Sequence, residues 1–336
     1  MLRTAWLMTC LSLSLAIMSF STQAQDNNWT LFKHNYLNED GRIVDHENGD
    51  ISHSEGQGYG MLLAVMNNDP ATFEQVWRWT RNTLLRPSLW LFAWRYDPIE
   101  KRVTDENNAS DGDTLIAWAL LLAGKKWHDQ SYLTASENIQ DALINCLIIE
   151  QDNQILLLPG LSGFTRDEGY VINPSYFIFP AWESFWQQRH NDIWLKLSKS
   201  SVALLGKARF GKTQLPSDWI FVKNGGEVEP ADNWPARFSY DAIRIPLYLS
   251  LSETQPHSMD NFRHFWANYS RNATPAWVDV SGDGQANYDM SGGILAVRDL
   301  TMGDYQRMDK SLHPGEGYYL SALHMLSLFA ASLKGY

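Results

Sequence analysis

The chain has 336 residues, of which 44% are hydrophobic, and its 27 basic and 38 acidic side chains give a formal charge of −11. This length and apolar content allow a large buried core and exclude wholesale disorder. The acidic balance argues against nucleic acid or an anionic membrane surface as the main partner. The 15 tryptophans suit a packed core, or stacking on flat apolar faces such as those of sugar rings.

The start of the chain has the pattern of a secretory signal peptide. Arg3 supplies a positive charge, residues 5–20 form an apolar run without charge, and residues 22–24 (Thr-Gln-Ala) end it with a small-x-small pattern. We therefore expect cleavage after Ala24 and a periplasmic or secreted protein. An uncleaved membrane anchor is disfavoured because the run is short for a bilayer span. No later stretch is long enough to cross a membrane, so no membrane span is expected in the mature protein.

Helical periodicity predominates in the rest of the chain, where apolar residues recur at helical spacing. The predicted helices cover residues 29–37, 55–67, 70–85, 111–125, 131–149, 174–188, 191–209, 241–252, 258–271, 292–300 and 316–333. Strand signals are limited to Trp219–Val222, which precedes the turn pair Asn224-Gly225, and to residues 155–158. The pattern predicts an all-α fold with minor β-hairpins in its loops.

Long polar stretches rich in Gly, Asp and Asn separate the predicted helices. They cover residues 38–54, 95–110, 223–240 and 275–291. Loops of this length in a compact domain are usually functional. No linker, low-complexity run or change of composition divides the chain, so we expect residues 25–336 to form a single domain.

Two consensus motifs match the sequence but lack the context that their chemistry needs. Residues 206–213 satisfy G-x-x-x-x-G-K-[ST], yet a predicted helix precedes them and Gln214-Leu215-Pro216 follows where a phosphate loop needs a helix. We interpret them as a basic helix end with a glycine cap. Residues 279–284 resemble the start of a calcium loop, but position twelve is Met290 instead of a bidentate carboxylate. A polar turn is the better interpretation.

Metal and serine hydrolysis also lack support. The nine histidines show no H-E-x-x-H pairing and no G-x-S-x-G occurs, so we expect neither a metal site nor a cofactor. Cys146 is the only cysteine outside the leader, which excludes an intramolecular disulfide in the mature chain. We interpret it as an apolar filler on a helical face.

The segment SEGQGYGM, residues 54–61, contains a carboxylate in an unusual setting. Glu55 precedes three alternating glycines that open a predicted apolar helix. Each glycine inside a helix costs about 1 kcal/mol relative to alanine, which indicates that another part of the molecule or a ligand approaches closely. Glu55 either complements the helix dipole or is a buried proton donor.

A second carboxylate pair opens the predicted helix at residue 111. Ser110 and Asp113 fit a capping box, which would give Asp113 a structural role. Asp111 is not needed for the cap and is a candidate to project into a central cleft. In Tyr240-Asp241-Ala242-Ile243-Arg244 the charged side chains are three residues apart. They form either an ordinary surface pair or a general base that an arginine keeps ionised.

Residues 315–319, with the sequence GEGYY, resemble the Glu55 segment. Glu316 is therefore either a rival acid or part of a helix start, and the spacing favours Glu55 over it. The sequence assigns no role to Glu316 beyond this comparison.

These segments together resemble glycoside hydrolase family 8. The stretch 109–127, which begins Ala-Ser-Asp-Gly-Asp, is similar to the family's signature, and residues 54–61 are similar to its acid segment. Tyr240, Asp241 and Arg244 match its base segment, and residues 173–176 (Asn-Pro-Ser-Tyr) also fit. The similarity runs from about residue 41 to the C-terminus.

The resemblance implies an (α/α)6 barrel and an inverting endo-β-1,4-glucanase. It implies that Glu55 is the general acid, that Asp241 is the general base, and that Asp111 binds and distorts the sugar at the cleavage point. Tyr240 and Arg244 would orient Asp241 and its water. Softer assignments are the stacking platforms Trp94, Tyr176 and Trp234. No cofactor is implied.

The family members that accompany bacterial cellulose synthase are the most similar in organisation. The expected partner is therefore a β-1,4-glucan, with the synthase complex as a possible second partner and a role in cellulose biosynthesis. Two alternatives stay open: a non-catalytic glucan-binding or assembly factor, and a chitosanase, xylanase or mixed-linkage β-glucanase of the same family. An acidic cleft suits a neutral polysaccharide and least excludes cationic chitosan.

Overall fold

A computed structural model describes residues 27–253 and 259–336 of the chain. The described residues form eleven α-helices, which are residues 27–36 (α1), Ser54–Met66 (α2), Pro70–Thr83 (α3), Ser110–Trp127 (α4), Gln130–Cys146 (α5), Phe179–Arg189 (α6), Ile193–Lys207 (α7), Arg244–Leu251 (α8), Asp260–Trp266 (α9), Gly292–Met302 (α10) and Tyr318–Ser332 (α11). The predicted predominance of helix is confirmed.

Twelve short strands lie in the connections between these helices. They are Ser52–His53 (β1), Leu85–Arg86 (β2), Leu91–Asp97 (β3), Arg102–Asn108 (β4), Ile148–Gln151 (β5), Gln154–Leu157 (β6), Thr165–Arg166 (β7), Gly169–Ile172 (β8), Ile220–Lys223 (β9), Val228–Pro230 (β10), Arg237–Phe238 (β11) and Val278–Asp279 (β12). All their pairings are antiparallel, in two four-stranded and two two-stranded sheets. The hairpin predicted from Trp219–Val222 is present as β9 and β10, and the strand predicted at residues 155–158 is present as β6.

The helices pack side by side into a closed ring. Helix α2 packs on α4, α4 on α6, α6 on α8, and α8 on both α10 and α11, which returns to α2. Helices α2, α4 and α11 are buried on nearly all sides, as expected of inner helices, whereas α3, α5 and α7 bury one stripe. The strands lie in the connections that lead into α2, α4, α6, α8 and α10.

Close packing of α2 on α4 explains why a glycine is needed at Gly58 in α2 and at Gly112 in α4. A Cβ built on Gly58 would lie 2.5 Å from Cβ of Leu115, and one built on Gly112 would lie 2.2 Å from Oγ of Ser54. Gly60 contacts Ile43 in the same way, with 2.6 Å to its Cγ1. The predicted close approach at the glycine segment is confirmed, and it comes from neighbouring protein.

Several predicted boundaries are wrong. Residues 95–110 were expected as a polar loop, but they contribute to the β3–β4 hairpin. Strand β4 is polar and largely exposed, so it lacks the apolar alternation that identifies a half-buried strand. The helix predicted at 174–188 is interrupted, since residues Pro174–Tyr176 form a 3₁₀ turn before α6. The helix predicted at 241–252 begins only at Arg244.

The two segments that match the phosphate-loop and calcium-loop motifs both form turns. Residues 206–213 run from the end of α7 into a turn bridged between Phe210 and Leu215. The expected glycine cap is wrong, because the C-cap of α7 is Ala208. In residues 279–284 the Asp279 carboxylate accepts hydrogen bonds from two backbone N–H groups of its own turn. Cys146, at the end of α5, is half-buried against the core.

The predicted signal peptide and its cleavage point after Ala24 lie outside the described residues. None of the helices in residues 27–253 and 259–336 has both the length and the apolar character needed to span a bilayer.

A glycine-to-alanine pair tests the close packing of α2 on α4. Gly58→Ala should destabilise the protein by about 1–3 kcal/mol, because the added methyl overlaps Leu115. Gly206→Ala, in α7, should stabilise it by about 0.5–1 kcal/mol, since nothing lies within 4 Å of the added atom. Urea denaturation measures both free energies of unfolding. Equal stabilisation by the two substitutions would contradict the packing described.

Candidate active site

A buried arginine connects the three carboxylates that the sequence singled out. Arg244 is the first residue of α8, and only 2% of its side chain is exposed. Its Nη1 donates hydrogen bonds to Oε2 of Glu55 and, over 3.0 Å, to Oδ2 of Asp111. Its Nη2 donates to Oδ1 of Asp241 over 2.6 Å and to Oγ of Ser175 over 2.7 Å. Residues far apart in sequence thus meet around one guanidinium group.

The interpretation of Asp241 and Arg244 as an ordinary surface pair is therefore wrong. The pair exists, but Arg244 is enclosed and also contacts side chains from α2 and α4. A buried cation is tolerated because carboxylates surround it. Burial raises the pKa of Asp111 to about 7. The neighbouring Glu55 charge also raises it, whereas Arg244 lowers it. The protonation of Asp111 therefore depends on the charges of Glu55 and Arg244 beside it.

Glu55 lies in the first turn of α2 and keeps 16% of its side chain exposed. Its Oε1 accepts a hydrogen bond of 2.8 Å from the Tyr318 hydroxyl at the start of α11. Burial, together with the charge of Glu55, holds the pKa of Tyr318 well above its usual range, so the phenol stays protonated. The two oxygens of Glu55 consequently face different donors, Tyr318 on one side and Arg244 on the other.

Asp241 precedes α8 and is held by the turn around it. Asp218, itself buried, accepts hydrogen bonds from the backbone N–H groups of Ser239 and Ala242, on either side of Asp241. Asp241 keeps 35% of its side chain exposed. Its surroundings raise its pKa through desolvation, while Arg244 and the side chains of Asn173 and Trp219 act in the opposite direction.

Asp113 does not form the predicted capping box. The N-cap of α4 is Ala109, and the Ser110 hydroxyl has no hydrogen bond among the described residues. Asp113 instead accepts hydrogen bonds from the backbone of Phe92 (2.8 Å) and from Asn108 (2.6 Å), and so ties α4 to strand β3 and to the end of β4. Burial raises the pKa of Asp113 to about 7. Its role is structural, as expected, through different partners.

Glu316 points away from the Arg244 cluster. It is 9% exposed, and its carboxylate pairs with the buried His324 and accepts a hydrogen bond from the backbone of His313. The His324 interactions lower the pKa of Glu316 despite its burial. The structure therefore offers no support for Glu316 as a rival acid.

The aromatic candidates Tyr176, Trp234 and Trp94 lie in different surroundings. Tyr176 has the guanidinium carbon 5.6 Å from its ring centre. Trp234 stacks on Trp219 with ring centres 4.8 Å apart, so one of its faces is covered. Trp94 lies half-buried in β3, the strand that pairs with the segment just before Glu55.

The Tyr240 side chain is exposed at the surface, and its hydroxyl oxygen lies 3.3 Å from that of Tyr288. Tyr319 donates a hydrogen bond to the Tyr240 carbonyl and has the Arg244 guanidinium carbon 5.9 Å from its ring centre. Tyr240 thus borders the cluster through its backbone and leaves its ring at the surface.

The sequence did not identify five residues that hold the cluster in place, namely His53, Asp218, Trp219, Tyr318 and Tyr319. The glycines of GEGYY were a signal for the last two, since Gly317 has a φ of 79° and lies against Glu47. Within the described part of the chain, no group of three His, Cys, Asp or Glu side chains is arranged to hold a metal ion. The cluster combines the buried Asp111, which burial helps to keep protonated, with the partly exposed Glu55 and Asp241. Carboxyl groups in contrasting surroundings are the elements of acid–base hydrolysis.

Comparison with known proteins gives a consistent result. Residues 4–332 match the profile of glycosyl hydrolases family 8. An endoglucanase of Cellulomonas uda is 46% identical over 277 residues, or 82% of this chain and 77% of that protein. A probable endoglucanase of Novacetimonas hansenii is 37% identical over 90% of this chain and 89% of its own.

The solved structure of endoglucanase Cel10 from Klebsiella pneumoniae, a family 8 glycosyl hydrolase, is 44% identical to this chain. It superposes with a TM-score of 0.89 over 91% of this chain and 99% of that one. This similarity of fold confirms the predicted helical barrel. With a carboxylate cluster at the starts of its inner helices and a match along nearly its whole length, the chain belongs to glycosyl hydrolase family 8.

Proposed function

We propose that this chain is an endo-β-1,4-glucanase that hydrolyses internal glucosidic bonds with inversion. The observation that supports the proposal is the meeting of Glu55, Asp111 and Asp241 around Arg244. Glycoside hydrolysis by inversion needs one carboxylic acid for the leaving oxygen and one carboxylate for water on the opposite face of the sugar. No other set of acidic side chains in the described residues has this arrangement around a buried cation.

In this proposal Glu55 is the general acid and Asp241 the general base. Glu55 donates its proton to the glycosidic oxygen as the bond to the anomeric carbon breaks. Asp241 takes a proton from the water that attacks that carbon, and Arg244 keeps Asp241 oriented and ionised through its Nη2 contact. Asp111, which is buried beside Arg244, accepts hydrogen bonds from hydroxyl groups of the sugar at the cleavage point.

Aromatic side chains supply the glucan-binding surface. Tyr176, Trp94 and Trp234 are the proposed platforms within the cleft, and Tyr240 borders it at the rim. Flat apolar rings stack on the faces of glucosyl units, which present C–H groups. Trp219 packs between Trp234 and Phe164, so it supports the Trp234 ring and leaves no free face of its own for a glucosyl unit.

The similarity to endoglucanases favours a β-glucan as the substrate. The Cellulomonas uda and Klebsiella pneumoniae proteins are both endoglucanases. We further propose a periplasmic or secreted location, a role in bacterial cellulose biosynthesis, and contact with the synthase complex as a second partner. The predicted leader and the family resemblance support these finer assignments.

Substitution of the two proposed catalytic carboxyls tests their roles. Glu55→Gln and Asp241→Asn should each lower kcat on carboxymethylcellulose by about 10²–10⁴-fold, because each removes a proton-transfer group. Reducing-sugar release measures the rates. Asp141→Asn, which removes an exposed carboxylate paired with Arg189, is the matched control and should leave the rate unchanged. Full activity in either test variant would exclude that residue from its role.

The stereochemistry of the product tests inversion. Proton NMR during hydrolysis of cellohexaose should show the α-anomer of the new reducing end first, because water attacks from the face opposite the leaving group. Mutarotation then produces the β-anomer. Initial formation of the β-anomer would show that the bond is cleaved with retention.

A panel of polysaccharides tests the substrate class. Carboxymethylcellulose should be cleaved faster than xylan, mixed-linkage β-glucan or chitosan. Binding of cello-oligosaccharides without turnover would identify a glucan-binding factor, and preference for another polymer would identify that alternative. Initial rates at equal mass concentration, with binding measured by calorimetry, distinguish these outcomes.

A further inference from the structure

A chain of polar contacts reaches the oxygen of Glu55 that Arg244 does not contact. His53, the N-cap of α2, has 13% of its side chain exposed. Its Nε2 lies 2.9 Å from the Tyr318 hydroxyl and 3.5 Å from Oδ2 of Asp45. Tyr318 in turn donates to Glu55, so Asp45, His53 and Tyr318 form one connected path to that carboxyl.

The direction of the hydrogen bonds along this path follows from the helix cap. The backbone N–H of Gly56 donates to Nδ1 of His53 over 3.2 Å. Nδ1 therefore carries no proton, and the ring proton is on Nε2. Nε2–H then donates to Tyr318, which leaves the Tyr318 hydroxyl proton to point at Oε1 of Glu55. Asp45 faces the same N–H and stabilises this tautomer.

Hydrogen bonds from residues other than His53 hold the Asp45 carboxylate in position. Its Oδ1 accepts hydrogen bonds from the backbone of Glu47 and Asn48, and its Oδ2 accepts one from the Asn48 amide. Gly317 brings Tyr318 against this loop, since a Cβ there would lie 2.4 Å from Oε2 of Glu47. The loop and the start of α11 thus fit together at the point where the path forms.

The path fixes one of the two hydrogen bonds that hold the Glu55 carboxyl group. Tyr318 donates to Oε1 and Arg244 donates to Oε2, so each oxygen has its own donor. Oε2 thereby lies beside the guanidinium group that also contacts Asp111 and Asp241. If the Tyr318 hydroxyl proton pointed toward His53 instead, Oε1 would lose its donor and the carboxyl group would be held from one side only.

We propose that His53 and Asp45 are positioning residues for the general acid, which fix Tyr318 as a donor to Oε1 and thereby hold the Glu55 carboxyl group in one orientation. The inference rests on the proposed role of Glu55. The charged and titratable groups around the path are Asp45, Glu47, His53, Glu55, Arg244, Tyr318 and Tyr319.

Two substitutions of His53 separate this role from helix capping. His53→Asn keeps a cap acceptor near Nδ1 but removes the donor at Nε2, whereas His53→Gln places an amide N–H near Nε2. Two substrates are compared: cellopentaose, whose leaving alcohol needs protonation, and a dinitrophenyl cello-oligoside, whose leaving group departs without it. His53→Asn should lower kcat on cellopentaose about tenfold at unchanged KM, which is part of the effect of a general acid. It should change the aryl substrate less than about twofold.

Supporting variants keep the test decisive if His53→Asn is poorly folded. Tyr318→Phe and Asp45→Asn should give the same substrate-dependent loss, and His53→Gln should restore a large part of it. His46→Asn is the control, because His46 pairs with Asp50 at the exposed surface of the same loop. Thermal unfolding of each variant checks folding.

The outcomes separate the two proposals. Loss of cellopentaose cleavage in Glu55→Gln with normal rates on both substrates in His53→Asn and Tyr318→Phe would overturn the positioning inference alone. Equal losses on both substrates would also overturn it, since a general distortion does not depend on the leaving group. Retained cellopentaose cleavage in Glu55→Gln would instead overturn the proposed function.

Discussion

Arg244 is a cation enclosed by carboxylates that come from three different parts of the chain. It contacts Glu55 on α2, Asp111 on α4, and Asp241 in the turn before its own helix. Loss of one partner from a buried ion pair costs about 3–5 kcal/mol, because the other charge is left uncompensated. Closure of the helical ring and assembly of the acidic cluster are therefore linked through a single side chain.

The approach of α2 to α4 makes this arrangement possible. Gly58 and Gly112 let the two helices meet at a distance that no side chain would permit. Their first turns then carry Glu55 and Asp111 to the same guanidinium group. The helical propensity lost at the glycines, about 1 kcal/mol each, is offset by packing that also determines where the carboxylates lie.

The local sequence was sufficient to identify Glu55, Asp111, Asp241 and Arg244 as candidates, because each lies in a segment whose composition is unusual for a plain helix start. The side chains that surround them were harder to find. His53, Asp218 and Tyr318 reach the cluster through partners that are distant in the chain, and no spacing rule connects residue 53 with residue 318.

Helical periodicity identified most helices, since their buried stripes are strong. It missed the β3–β4 hairpin, because an exposed edge strand is polar on both faces. The predicted capping box at Ser110 failed for a related reason. The Asp113 carboxylate, which the local pattern assigned to the helix cap, instead accepts hydrogen bonds from Phe92 and Asn108.

Residues 55 and 241 are expected to act on opposite faces of one sugar linkage. A crystal structure of the Glu55→Gln variant with a cello-oligosaccharide bound across the cleft would show this. We predict a glycosidic oxygen within hydrogen-bonding distance of the residue 55 side chain and a water between Asp241 and the anomeric carbon. A glucan bound away from Arg244, or a linkage flanked by a different pair of carboxyl groups, would contradict the account.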